Sequence, residues 1–145
     1  WYDIGRNSDY LEILAKALGG EIKGFKPSGK EVTEGLWRGT GSLLEKTTKI
    51  ITPVYIGPGS VVQKNVKLEG PVMIGANCRI HDDVELSNVF LGDYVRIKPG
   101  FKAKNLLITQ EYYVGSDGKG GMLADSNLKR YVSDVRTMEA SPANK

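Results

Sequence analysis

The sequence predicts a mainly β protein: a parallel β-helix of about four coils with one helix at its N-terminal end and one at its C-terminal end. Three observations carry this reading. Aliphatic residues recur every six positions, a second apolar or small position precedes each by two, and bend-forming residues fill the gaps.

The period starts at Leu44 and runs through Ile50, Ile56, Val62, Leu68, Ile74, Ile80 and Leu86. One step of five reaches Leu91, and steps of six resume with Ile97 and Ala103. Two residues earlier stand Thr48, Val54, Ser60, Val66, Val72, Cys78, Val84, Val89, Val95 and Phe101. Side chains two apart share one face of a strand, so each repeat holds a short strand facing in, out, in. Between strands lie residues 57–59 (GPG), 69–71 (EGP), 75–77 (GAN), 81–83 (HDD), 92–94 (GDY) and 98–100 (KPG). Gly, Pro, Asn and Asp each favour a bend for a different reason. The five-residue step falls at Ser87 and Asn88, a shortened corner.

Equal strands and equal corners wind the chain into a three-sided prism with eighteen residues per coil. Stacked coils then bury the inward residues as one continuous core. The outward residues sort by side. Side one presents Tyr55, Met73, Phe90 and Ile108, side two Val61, Arg79 and Arg96, and side three Lys49, Lys67, Glu85 and Lys102. Sides two and three read as solvated faces. Side one is apolar on both faces, and a sheet of that kind expects cover. Tyr55, Met73, Phe90 and Ile108 are therefore the expected interface.

Two segments have helical spacing. Leu11, Leu14, Ala15 and Leu18 share one stripe within residues 8–18, between a cap at Asn7 or Ser8 and a stop at Gly19 and Gly20. Leu128, Tyr131, Val132, Val135 and Met138 form a stripe within residues 126–139, capped by Asp125 or Ser126. The second is placed to close the last coil, which would otherwise leave an open sheet edge.

Composition excludes several classes. The net charge is +3 with both signs spread along the chain, which gives no nucleic-acid footprint. No apolar run approaches the ~20 residues of a membrane-spanning helix. One cysteine, Cys78, forbids an internal disulfide framework and fits a cytoplasmic protein; it reads as a small core residue. Residues 115–121 (GSDGKGG) lack the spacing of a phosphate-binding loop and read as a flexible connection. The first residue is Trp1, so the chain is expected to start inside something longer or to be processed.

Residues 1–5 (WYDIG), followed by residues 9–11 (DYL), resemble the end of the catalytic domain in sugar-1-phosphate nucleotidylyltransferases, where the pattern is W-x-D-I-G-T-P-E-D-Y-L. Residues 35–41 (GLWRGTG) resemble that family's entry into its β-helix, and residues 53–59 (PVYIGPG) and 70–75 (GPVMIG) resemble its repeats. Mannose-1-phosphate guanylyltransferases and glucose-1-phosphate nucleotidylyltransferases are similar in style. The resemblance spans about residues 1–115, with Arg6 and Asn7 departing from the pattern.

This resemblance implies left-handed winding. It divides the chain into a catalytic-domain remnant and linker (1–34), a left-handed β-helix (35–114), and a Gly-rich loop with a helix and tail (115–145). It implies a parent that makes a nucleotide sugar from a sugar 1-phosphate and a nucleoside triphosphate, with Mg²⁺ held in part by Asp3. The nucleotide-binding N-terminal catalytic domain is missing here, so the chain alone is expected to be inactive, with no cofactor of its own. Its own role would be assembly into a homo-oligomer, or regulation. The alternative is an acyl-CoA-dependent hexapeptide-repeat acetyltransferase with His81 as general base. A zinc site of three histidines is rejected, because the chain has a single histidine.

Overall fold

The computed structural model describes residues 30–33, 35–115 and 118–137. The first coils contain β1 (Lys30–Thr33), β2 (Leu36–Arg38), β3 (Leu43–Leu44), β4 (Lys49–Ile51), β5 (Val54–Ile56) and β6 (Val61–Val62). Then follow β7 (Lys67–Ile74), β8 (Arg79–Ile80), β9 (Glu85–Leu91), β10 (Val95–Ile97) and β11 (Lys102–Ile108). The chain continues through β12 (Tyr112–Gly115), β13 (Gly120–Met122), two short 3-10 turns (Leu123–Asp125 and Asn127–Arg130) and β14 (Val132–Asp134).

These strands form the expected parallel solenoid. Side one stacks β2, β5 and the second halves of β7, β9 and β11, with register Trp37, Tyr55, Met73, Phe90 and Leu107. Side two stacks β3, β6, β8 and β10, aligning Leu43, Val61, Arg79 and Arg96. Side three stacks β4 and the first halves of β7, β9 and β11, aligning Lys49, Lys67, Glu85 and Lys102. Inward residues form one core from Leu36 to Val132. Val54, Ile56, Val72, Ile74, Ile80, Val89 and Ile97 are wholly buried in it. The hydrophobic effect acts along this whole column, since each coil's apolar residues are covered by the coils on either side.

The corners need backbone that only certain residues adopt at low cost. In one corner column Gly41, Gly59, Asn77 and Tyr94 have φ of 76°, 72°, 58° and 62°. Another column holds Asn65, Asp83 and Gly100 at 57°, 63° and 83°. Left-handed backbone is open to Gly and tolerated by Asn and Asp, which explains all of these residues except Tyr94. Thr52–Pro53 and Gly70–Pro71 are cis peptides one coil apart. Gly57 answers a different need: a Cβ there would lie 2.5 Å from the Gly75 carbonyl carbon of the next coil.

The third corner shortens twice. Asn88 and Asn105 are single residues at equivalent positions with φ of 52° and 60°, and Asn88 Nδ2 donates to Asn105 Oδ1 at 2.9 Å. The second shortening shifts the last coil by one residue relative to an unbroken six-residue count. Leu107, not Ile108, therefore pairs with Phe90 on the outward row, and Ile108 points into the core, fully buried.

The ends differ from the sequence expectation. The N-terminal helix predicted for residues 8–18 lies outside the described residues. At the C-terminus the predicted helix over 126–139 is not formed, and no α-helix occurs among the described residues. Ser126 does cap, its hydroxyl accepting from the Leu128 N–H at 3.2 Å, but the turn it starts is a 3-10 turn that stops at Arg130. Val132–Asp134 then pairs antiparallel with β10. The unsatisfied edge of β10 offers this segment strand hydrogen bonds, and β-branched Val132 and Val135 suit a strand better than a helix. The expected role of closing the last coil is filled, by a strand and two turns. Within the Gly-rich segment 115–121, Gly115 ends β12 and Gly120 begins β13, and the two strands pair antiparallel.

Candidate functional surface

The outward row of side one is the most distinctive surface. Tyr55 and Phe90 form an apolar cluster with Trp37, Met73 and Leu107, separate from the interior core. Phe90 is 1% exposed and Tyr55 6%, although both face outward from the sheet. Trp37, Met73 and Leu107 are half-buried. The structure thus brings together three of the four residues expected there, Tyr55, Met73 and Phe90. It replaces Ile108 by Leu107 and adds Trp37, one coil ahead of Tyr55. Trp37 could have been found by stepping back eighteen residues from Tyr55. Leu107 could also have been found, because a count of six from Ala103 lands on Thr109 and a count of five on Ile108, which turns Ile108 inward and Leu107 outward.

Side three carries the opposite character. A shallow groove of about 560 Å³ runs along it, bordered by Lys67, Glu69, Glu85, Ser87, Lys102 and Lys104. Lys102 Nζ lies 3.4 Å from Glu85 Oε2, with both side chains largely in water. An exposed pair of this kind is worth ~0–1 kcal/mol. The groove presents solvated charges of both signs and no nucleophile paired with a base.

His81 sits at the corner after β8, half-buried, with its backbone N–H donating to the Ile97 carbonyl at 3.0 Å. Asp82 and Asp83 beside it are exposed. Cys78 is inward and wholly buried, and burial pushes its thiol up to about 11. Next to it Ser60, also wholly buried, donates to the Gly75 carbonyl and accepts from the Cys78 N–H at 3.0 Å, so the polar pair is internally satisfied. Asp3 lies outside the described residues. Among the described residues, no three His, Cys, Asp or Glu side chains gather as a metal site. None of the described helical segments is long and apolar enough to cross a membrane.

Six-residue repeats, parallel coils and corner columns of Gly, Asn and Asp define a hexapeptide-repeat solenoid of the left-handed β-helix type. In agreement, residues 53–88 match the family described as bacterial transferase hexapeptide (six repeats). The chain is also similar to a UTP–glucose-1-phosphate uridylyltransferase of Synechocystis sp., 31% identical over 137 residues. That similarity covers 94% of this chain but 35% of the relative, so the chain spans about a third of the relative's length. Both findings fit the resemblance seen in the sequence, that of a C-terminal piece of a sugar-1-phosphate nucleotidylyltransferase.

Proposed function

We propose that this chain is the C-terminal β-helix segment of a nucleotidyltransferase that joins a sugar 1-phosphate to a nucleoside triphosphate and releases pyrophosphate. The observation that carries the reading is the reach of the uridylyltransferase similarity. It extends over 94% of the chain, well beyond the repeats that many proteins share. On this reading Asp3 contributes to a Mg²⁺ site completed by the catalytic domain, and the parent works in the cytoplasm. The segment itself supplies a rigid platform for homo-oligomer assembly or regulation.

The outward row of side one is the surface we assign to assembly. Tyr55 and Phe90 are already closed off within one chain, so a second copy meets the half-buried Trp37, Met73 and Leu107. The test is solution mass by light scattering for wild type and Met73→Asp. A wild-type oligomer that the substitution dissociates supports the assignment. Wild type that is monomeric removes the assembly role and leaves the row as an internal packing surface.

A second reading is kept because the chain's single histidine falls inside the segment matched to hexapeptide transferases. As an acyltransferase, the chain would use His81 to deprotonate an acceptor hydroxyl or amine. Saturable binding of acetyl-CoA, lost in His81→Ala, would favour it over the platform.

A further inference from the structure

We propose that residues 123–137 form a strap that opens and closes as one unit over the C-terminal end of the solenoid, and that Tyr94 is the latch holding it shut. The starting point is an outlier. Tyr94 is the one described residue other than Gly, Asn and Asp with a left-handed backbone, at φ 62°. It occupies a column whose preceding members are Gly41, Gly59 and Asn77. A bulky residue pays a strain there that Gly or Asn avoids, and strain of this kind persists only where surrounding contacts hold it.

The Tyr94 backbone N–H is tied to the Ala76 carbonyl of the preceding coil at 2.9 Å, while its ring and its carbonyl are held by the strap. The Arg136 guanidinium stacks over the Tyr94 ring, 4.1 Å from its centroid. Asp134 fixes that guanidinium, accepting from Arg136 Nε at 3.0 Å and Nη2 at 2.8 Å. The Val135 N–H donates to the Tyr94 carbonyl at 2.9 Å. Asn at this corner would relax the backbone and lose the stack. The tyrosine therefore trades local strain for a hold on the strap.

The strap is also built to move separately from the coils. Its one strand ladder with the coils is β14, antiparallel to β10, whereas β10 pairs in parallel with β8 beneath it. Its inward anchors are Leu123, Leu128 and Val132, and it is further tied by Tyr131 against Phe101 at 5.3 Å, the Lys98 N–H bonded to the Tyr131 carbonyl at 2.8 Å, and the Leu123 N–H bonded to the Glu111 carbonyl at 2.9 Å. Segments with few buried contacts open at lower free energy than the core they cover. Opening exposes the edge of β10, and closing pairs it, so the latch sets how often a bare strand edge is presented.

Native-state hydrogen exchange on the 145-residue chain tests this, with wild type, Tyr94→Asn, Tyr94→Phe and Arg136→Ala. An exposed cation–π contact corresponds to about a two- to fivefold change in an opening equilibrium. Tyr94→Asn and Arg136→Ala should each speed exchange at the Lys98 and Val135 amides by that factor. The Gly57 and Gly75 amides, bonded between inner coils, should keep their rates or slow. Tyr94→Phe keeps the ring and should match wild type. Unchanged Lys98 and Val135 amides in Arg136→Ala would overturn the latch. So would a uniform change at rim and interior amides in Tyr94→Asn, which would mean the strap has no opening of its own.

Discussion

Cys78 stands at an inward position between Ser60 and Val95, where its sulfur has the Gly92 carbonyl 3.2 Å away and no access to water. Burial is the largest cause of its raised pKa, from the ordinary 9.0 to about 11, with hydrogen bonds from its neighbours pulling weakly the other way. The sign of the consequence is fixed by linkage. Between pH 9 and 11 the unfolded thiol gives up its proton and the folded one does not, so the unfolded state binds fewer protons and stability falls as pH rises. By pH 10.5 the loss is about 2 kcal/mol. Urea unfolding at pH 8 and pH 10.5 should therefore show a stability drop in wild type that is about 2 kcal/mol larger than in Cys78→Ala. Equal drops in the two proteins would mean that Cys78 does not titrate with folding. The inward placement was legible in the sequence because Cys78 lies two before Ile80 in an unbroken series. Its hydrogen-bonded pairing with Ser60 was not, because the eighteen-residue step that stacks them says nothing of which side chain satisfies which backbone group.

At the scale of the element, the corners decide where every later residue faces. The first short corner could be read directly, since a count of six from Leu86 lands on Gly92, while a count of five lands on Leu91. The second is legible by the same count: six from Ala103 lands on Thr109, five lands on Ile108, and Asn105 stands where Asn88 marks the first. The C-terminal segment could not be read this way. Leu128, Tyr131, Val132 and Val135 satisfy a helical stripe, but periodicity carries no information about the open edge of β10 waiting to be paired. The importance of the second corner can be measured. Asn105→Gly keeps a residue suited to φ 60° and should stay within about 0.5 kcal/mol of wild type. Asn105→Val forces a β-branched residue into the same conformation and should cost about 1–2 kcal/mol in chemical denaturation. Equal stability of the two variants would show that the left-handed corner is not held in solution.

At the scale of the whole molecule, the described coils form a column with unlike sides. Its C-terminal end is closed by the strap, and on its outward faces Leu43 of β3 and Ile51 of β4 are 61% and 52% exposed. Side three is charged and wet, side one apolar on both faces. None of these surfaces supplies what phosphoryl chemistry requires: preorganised positive charge around the transferring phosphate and a metal to neutralise it. The side-three lysines are interleaved with Glu69 and Glu85, and among the described residues no carboxylate set could hold Mg²⁺. On the proposed reading, nucleotidyl transfer is the work of the parent's catalytic domain, with this segment as its platform. The purified 145-residue chain, given Mg²⁺, glucose 1-phosphate and each nucleoside triphosphate in turn, should release no pyrophosphate above the enzyme-free rate in a coupled phosphate assay. The same chain should still unfold cooperatively, since its core is complete from Leu36 to Val132. Release of pyrophosphate that survives further purification would place a catalytic site on the segment itself, and the division of labour between a rigid platform and a separate catalytic domain would have to be abandoned.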